Sequence, residues 1–84
     1  MDMDFINLVA NAIICNPEVL NEDSTAETIP EWDSLNHWRV IGLLEDSYGV
    51  EFTMDEATEF KNLGHIYEIL MKKLHQRKIQ PELV

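Results

Sequence analysis

Three apolar segments with the three-to-four-residue spacing of a helix face limit what this chain can become. Phe5, Ile6, Leu8, Val9, Ala12 and Ile13 form the first. Leu35, Trp38, Ile41, Leu44 and Tyr48 form the second, widened by Val40 and Leu43, and Leu63, Ile66, Tyr67, Leu70 and Leu74 form the third. Each pattern predicts an amphipathic helix, and no pair of alternating segments competes with them. With 84 residues there is material for a single core. The fold class that follows is all-α: a small bundle of three longer helices plus one short helix.

Local chemistry sets the boundaries. Helix one is predicted from about Asp2 or Met3 to Ile14, with Asn16-Pro17 ending it because proline cannot continue the bonding pattern. Residues 16–33 form a long connection, rich in turn formers at 21–25, which calls for anchoring. Val19, Leu20, Ile29 and Trp32 are the candidate anchors, and Pro17–Leu20 suits a short helical turn. Helix two is expected over Ser34–Tyr48, stopped by Gly49, and a short helix three over about Asp55–Phe60, opened by the capping box of Thr53 and Glu56. Asn62 is placed to cap helix four, whose pattern runs through about Gln76. These bounds give one domain over residues 1–78 and a flexible tail at 79–84.

Charge narrows the partners. Residues 1–71 carry fifteen acidic side chains against Arg39 and Lys61, while Lys72, Lys73, Arg77 and Lys78 cluster late. Phosphate backbones need the opposite sign, so nucleic acid is excluded as a partner, and proteins with basic patches are favoured. No apolar run is long enough to span a bilayer, so no membrane insertion is expected. Cys15 stands alone, without an activating neighbour, and reads as a packing residue rather than a nucleophile. The lone cysteine rules out an internal disulfide, and the lack of a cationic segment leading into an apolar one predicts a cytoplasmic protein; a monomer is expected.

The one stretch that exposes chemistry is Glu31-Trp32-Asp33-Ser34-Leu35. Asp33 suits the N-cap of helix two, which makes Ser34 its first residue and sets the hydroxyl at the positive end of the helix dipole, where phosphate is favoured. Asp33-Ser34-Leu35, followed by Val40-Ile41-Gly42-Leu43-Leu44-Glu45-Asp46-Ser47-Tyr48-Gly49-Val50-Glu51-Phe52, resembles the acyl carrier protein family over roughly residues 3–75. The resemblance implies an acyl-carrier-like fold and a carrier rather than an enzyme. It implies a 4′-phosphopantetheine arm from coenzyme A, covalently attached to Ser34 with Asp33 and Leu35 as motif flanks. Acyl, aminoacyl or related groups would be held there as thioesters. The implied partners are a phosphopantetheinyl transferase, an acyl- or aminoacyl-loading enzyme, and a downstream transferase or synthase with a basic docking patch. Leu35, Trp38, Arg39 and Gly42 correspond by resemblance to the docking surface, although Trp38 also fits the apolar stripe as a core residue.

Three positions depart from the fatty-acid pattern of that family. Trp32 stands where a small residue is common, Asn36 where an acid often follows the motif leucine, and Arg39 at an acidic position early in helix two. They point to a dedicated carrier in a specialised pathway, such as modification of a secondary metabolite or a surface saccharide. Two other readings compete. Asp33, Ser34 and His37 supply the residue types of a hydrolase triad, but all lie within one turn with no oxyanion loop. An acidic helical adaptor without a prosthetic group would share the composition. The scattered His37, His65 and His75 lack zinc-ligand spacing, and Met54 and Met71 read as packing residues. The acid excess predicts self-repulsion in the folded state, so added salt at constant neutral pH is expected to raise the thermal midpoint. A midpoint independent of ionic strength would show that the repulsion is already relieved.

Overall fold

The computed structural model describes residues 1–79. The elements, in chain order, are α1 (Met3–Ile13), a single 3-10 turn (Pro17–Val19), α2 (Ser34–Tyr48), α3 (Met54–Thr58) and α4 (Leu63–Ile79). No strand occurs among the described residues. One core joins them, built on Phe5, Val9 and Ile13 of α1, Val40 and Leu44 of α2, and Leu63, Ile66 and Leu70 of α4. The Tyr67 ring meets Phe5 edge-on at 4.8 Å, and its hydroxyl donates to Asp2 Oδ2 at 3.3 Å, tying α4 to the start of α1.

Each helix starts on a side-chain cap. Asp2 Oδ1 accepts from Phe5 N–H and Asp33 Oδ1 from Asn36 N–H, the Thr53–Glu56 capping box is complete in both directions, and Asn62 Oδ1 accepts from His65 N–H. Glu56 also binds Lys73 of α4 at 2.9 Å. That contact, helped by the bond from Thr53 N–H, holds the Glu56 carboxyl below its ordinary range. Lys73 is therefore engaged with α3, and lies 5.5 Å from the Phe52 ring centroid, rather than serving the α4 C-terminus.

Three boundaries differ from the sequence expectation. Helix α1 stops one residue early, at Ile13, because Ile14 takes a left-handed conformation (φ 59°) and Cys15 N–H returns to Ala10 O. Asn16-Pro17 lies beyond that stop. Helix α3 begins at Met54 and ends at Thr58, leaving Phe60 outside it, where its ring packs edge-on against both Phe52 and His65. Helix α4 continues through Ile79, past the last apolar repeat, since Lys72 to Lys78 contain good helix formers and no breaker. Ile79 is thus helical rather than part of a tail, and the remainder of the expected tail, residues 80–84, lies outside the described residues.

The long connection is pinned. Leu20, Ile29 and Trp32 are buried as expected, whereas Val19 is half exposed and anchors nothing. Met54 is likewise exposed rather than packed, while Met71 does pack against the core. The connection also caps α4: Ser24 O accepts from Leu63 N–H and Glu22 O from Gly64 N–H, both at 2.9 Å. Two of the backbone donors that a helix start leaves unpaired are satisfied in this way. Ser24 is buried, and its hydroxyl accepts from Asn21 N–H at 2.9 Å, which fixes the turn. A β-carbon on Gly64 would stand 3.0 Å from both the Cβ and the carbonyl oxygen of Glu22, so the close approach requires glycine. Alanine in a helix is ordinarily worth about 1 kcal/mol over glycine. Here the tight contact outweighs that gain, and Gly64→Ala is expected to cost about 1 kcal/mol in chemical denaturation. A stabilised variant would show that the connection is free to yield.

Candidate functional site

Ser34 is the first residue of α2, and it is exposed. Its position is set from both sides. Asp33, in extended conformation, caps the helix through Asn36 N–H at 2.8 Å. The Asn36 side chain in turn donates to Glu31 O at 2.8 Å, fastening the end of the connection to the first turn. An acid at position 36 would have no proton to give that carbonyl, so the departure at Asn36 has a structural consequence. The N–H groups of Ser34 and Leu35 belong to the first turn, where a helix offers them no internal acceptor.

Behind the serine lies a second connection that the sequence did not reveal. The Trp32 indole N–H donates to His37 Nδ1 at 3.2 Å, and His37 Nε2 meets Ala57 O at 2.6 Å. The neutral ring protonated on Nε2 satisfies both contacts, accepting from the indole and donating to the carbonyl. His37 thereby joins the connection, α2 and α3, twenty residues apart along the chain. The indole and imidazole also stack, with centroids 6.2 Å apart. Because both ring nitrogens are engaged away from Ser34, and the Asp33 carboxylate is engaged with the backbone, Asp33, Ser34 and His37 do not assemble into a triad.

A cleft of about 520 Å³ opens beside Ser34. Trp32, His37 and Trp38 line it from the connection and α2, and Thr58, Phe60 and Lys61 from the α3–α4 side. Sequence periodicity alone did not bring the second group to the site, since these residues lie in a short helix and a loop without a regular pattern.

The wide stripe of α2 divides. Val40, Ile41 and Leu44 are buried, whereas Leu35 is 74% and Trp38 45% exposed. Arg39 is exposed as well, and Gly42 is partly exposed with nothing within 4 Å of the place a β-carbon would occupy. Leu35, Trp38, Arg39 and Gly42 therefore share an accessible strip running away from Ser34. Cys15 packs against the core, and burial together with the charge of Glu31 pushes its thiol pKa up, the opposite of activation.

No family model and no curated protein matches the chain. A solved structure does: the solution structure of a holo acyl carrier protein from Geobacter metallireducens superposes with a TM-score of 0.82 at 27% identity, covering 92% of this chain and 88% of that one. The chain has the fold of that acyl carrier protein over nearly its whole described length. Such a fold is a carrier's rather than a catalyst's.

The bond between Trp32 and His37 can be measured. Trp32→Phe removes the donor and keeps an aromatic ring, and is expected to cost about 1 kcal/mol in urea denaturation. In a His37→Leu background the same change should cost much less, giving a coupling of about 1 kcal/mol. Equal costs in the two backgrounds would mean that the bond contributes nothing to stability.

Proposed function

We propose that this protein carries acyl, aminoacyl or related groups as thioesters on a 4′-phosphopantetheine arm attached to Ser34, and delivers them to biosynthetic enzymes. The observation that supports this most is the exposed hydroxyl at the first position of α2, capped by Asp33 and fastened through Asn36. A phosphodiester fits this place, because the helix dipole and the first-turn N–H groups favour an anion. When bound, the arm supplies the thiol on which the thioester forms. The chain's own residues present the hydroxyl to a phosphopantetheinyl transferase, shelter the base of the arm in the cleft, and offer a surface for docking. In the attachment step the serine oxygen bonds to the pantetheine-side phosphorus of coenzyme A. The pyrophosphate bridge breaks, the adenosine bisphosphate half leaves, and the hydroxyl proton passes to the transferase.

The docking surface in this reading is Leu35, Trp38, Arg39 and Gly42. Exposed aromatic and aliphatic groups beside a bare helix backbone suit close approach by a partner. Arg39 opposes enzymes whose basic patches are matched to an acidic carrier, since juxtaposed like charges are unfavourable. That reversed charge supports a loading enzyme and an acceptor dedicated to this carrier in a specialised pathway, with the cytoplasm as the place of action. The acidic remainder still steers basic partners into encounter.

Incubation with coenzyme A and a broad-specificity transferase is expected to add one phosphopantetheine to the intact mass, and none to Ser34→Ala. The variant's helicity and thermal midpoint should stay close to those of the parent, because the side chain is outside the core. An unmodified parent, or a modified Ser34→Ala protein, would contradict the assignment and favour an adaptor without a prosthetic group.

A further inference from the structure

The cleft beside Ser34 and the helical interior are neighbours, and the residues between them decide what a tethered group can reach. Of the side chains lining the cleft, Trp32 and Ile66 are buried; both belong to the core and form the inner wall. Leu44, Leu63 and Leu70 of the same core are fully buried. On the α2–α3 side His37 spans the gap, taking the indole N–H on one nitrogen and reaching Ala57 O with the other. The outer rim is mixed, with Thr25, Thr58, Lys61 and Asn62 beside the apolar Ala26, Trp38 and Phe60.

We propose that the Trp32–His37–Ala57 bridge is a gate that shuts the interior to any group tethered at Ser34, so that the cargo is a short acyl or aminoacyl group lying in the open cleft and not a long aliphatic chain. This rests on Ser34 being the attachment site. A chain entering the core would have to break both bonds of His37, move a buried indole, and part side chains that already fill the interior. A short group meets none of these obstacles and has room in a cleft whose volume lies within the range of small-molecule sites. Trp32 and His37 are accordingly specificity-determining residues: they act by keeping long cargo outside.

The gate can be tested without the arm, so the outcome does not depend on whether the transferase experiment succeeds. Ser34→Cys in a Cys15→Ser background is treated with propyl or octyl methanethiosulfonate, which places an alkyl chain at the serine's position as a mixed disulfide. In this background the two adducts are expected to melt within about 2 °C of each other, since the longer chain gains only contacts along the open cleft wall and none in the core. Nuclear Overhauser contacts from the octyl chain should reach Trp38 and Phe60 but not the methyls of Leu44 or Leu70. Adding His37→Leu opens the bridge, and the octyl adduct should then melt about 5 °C or more above the propyl adduct. Contacts from the octyl chain to Leu44 or Leu70 with the bridge intact would overturn the proposal. Equal midpoints with and without His37 would overturn the assignment of the gate to this bridge. If the His37→Leu protein does not fold, the contacts in the parent background decide alone.

Discussion

The site depends on the docking of one long irregular segment. Residues 16–33 have no regular structure beyond a single 3-10 turn, yet Ser34 is placed only as well as this segment is placed. Two kinds of interaction hold it. Leu20, Ile29 and Trp32 bury apolar surface in the core, and the carbonyls of Glu22 and Ser24 take the first N–H groups of α4. The second kind serves both parties: the loop needs donors for its carbonyls, and the helix start needs acceptors for its amides. Gly64 makes the approach possible by having no β-carbon.

Trp32 converts this anchoring into site geometry. It is buried with the core and sits one residue before the helix cap, so the connection cannot drift without exposing an indole. Through His37 the same residue reaches α3, and through Glu56 and Lys73 α3 is tied to α4. The chain of contacts links the wall of the cleft at Trp32 and His37 to α3 and α4. The chain is acidic overall, and Arg39 gives the exposed strip of α2 proposed for docking a local charge opposite to that of the domain. Glu56 contributes stability above the ordinary carboxyl range, and that contribution fades as pH falls through its lowered pKa, so the α3–α4 tie is one that acid loosens.

Most of the architecture was legible in the sequence because it rests on local signals. Helix α2 lies over Ser34–Tyr48 as its cap and its glycine stop predict, and Thr53 with Glu56 opens α3. The position of Ser34 followed from Asp33. What the sequence concealed is non-local or exceptional. Ile14, a β-branched residue, adopts a left-handed conformation usually reserved for glycine, so α1 ends before the proline that marked its limit. Apolar spacing put Leu35 and Trp38 on the same stripe as Leu44, but the core covers only Val40, Ile41 and Leu44 of that stripe and leaves Leu35 and Trp38 exposed. The pairing of Trp32 with His37 joins a loop to a helix and then to a backbone carbonyl, which no periodicity encodes. An isolated glycine near the start of a helical pattern, Gly64, was the visible trace of the loop's approach.

In the proposed function all of this packing serves to present one hydroxyl as an attachment point. Fragmentation mass spectrometry of the peptide containing Trp32 to Arg39, taken from protein co-expressed with a phosphopantetheinyl transferase, tests it most directly. The account predicts fragment ions that carry the phosphopantetheine mass on Ser34. An arm located on the exposed Ser47, on the buried Ser24, or on no serine would contradict it.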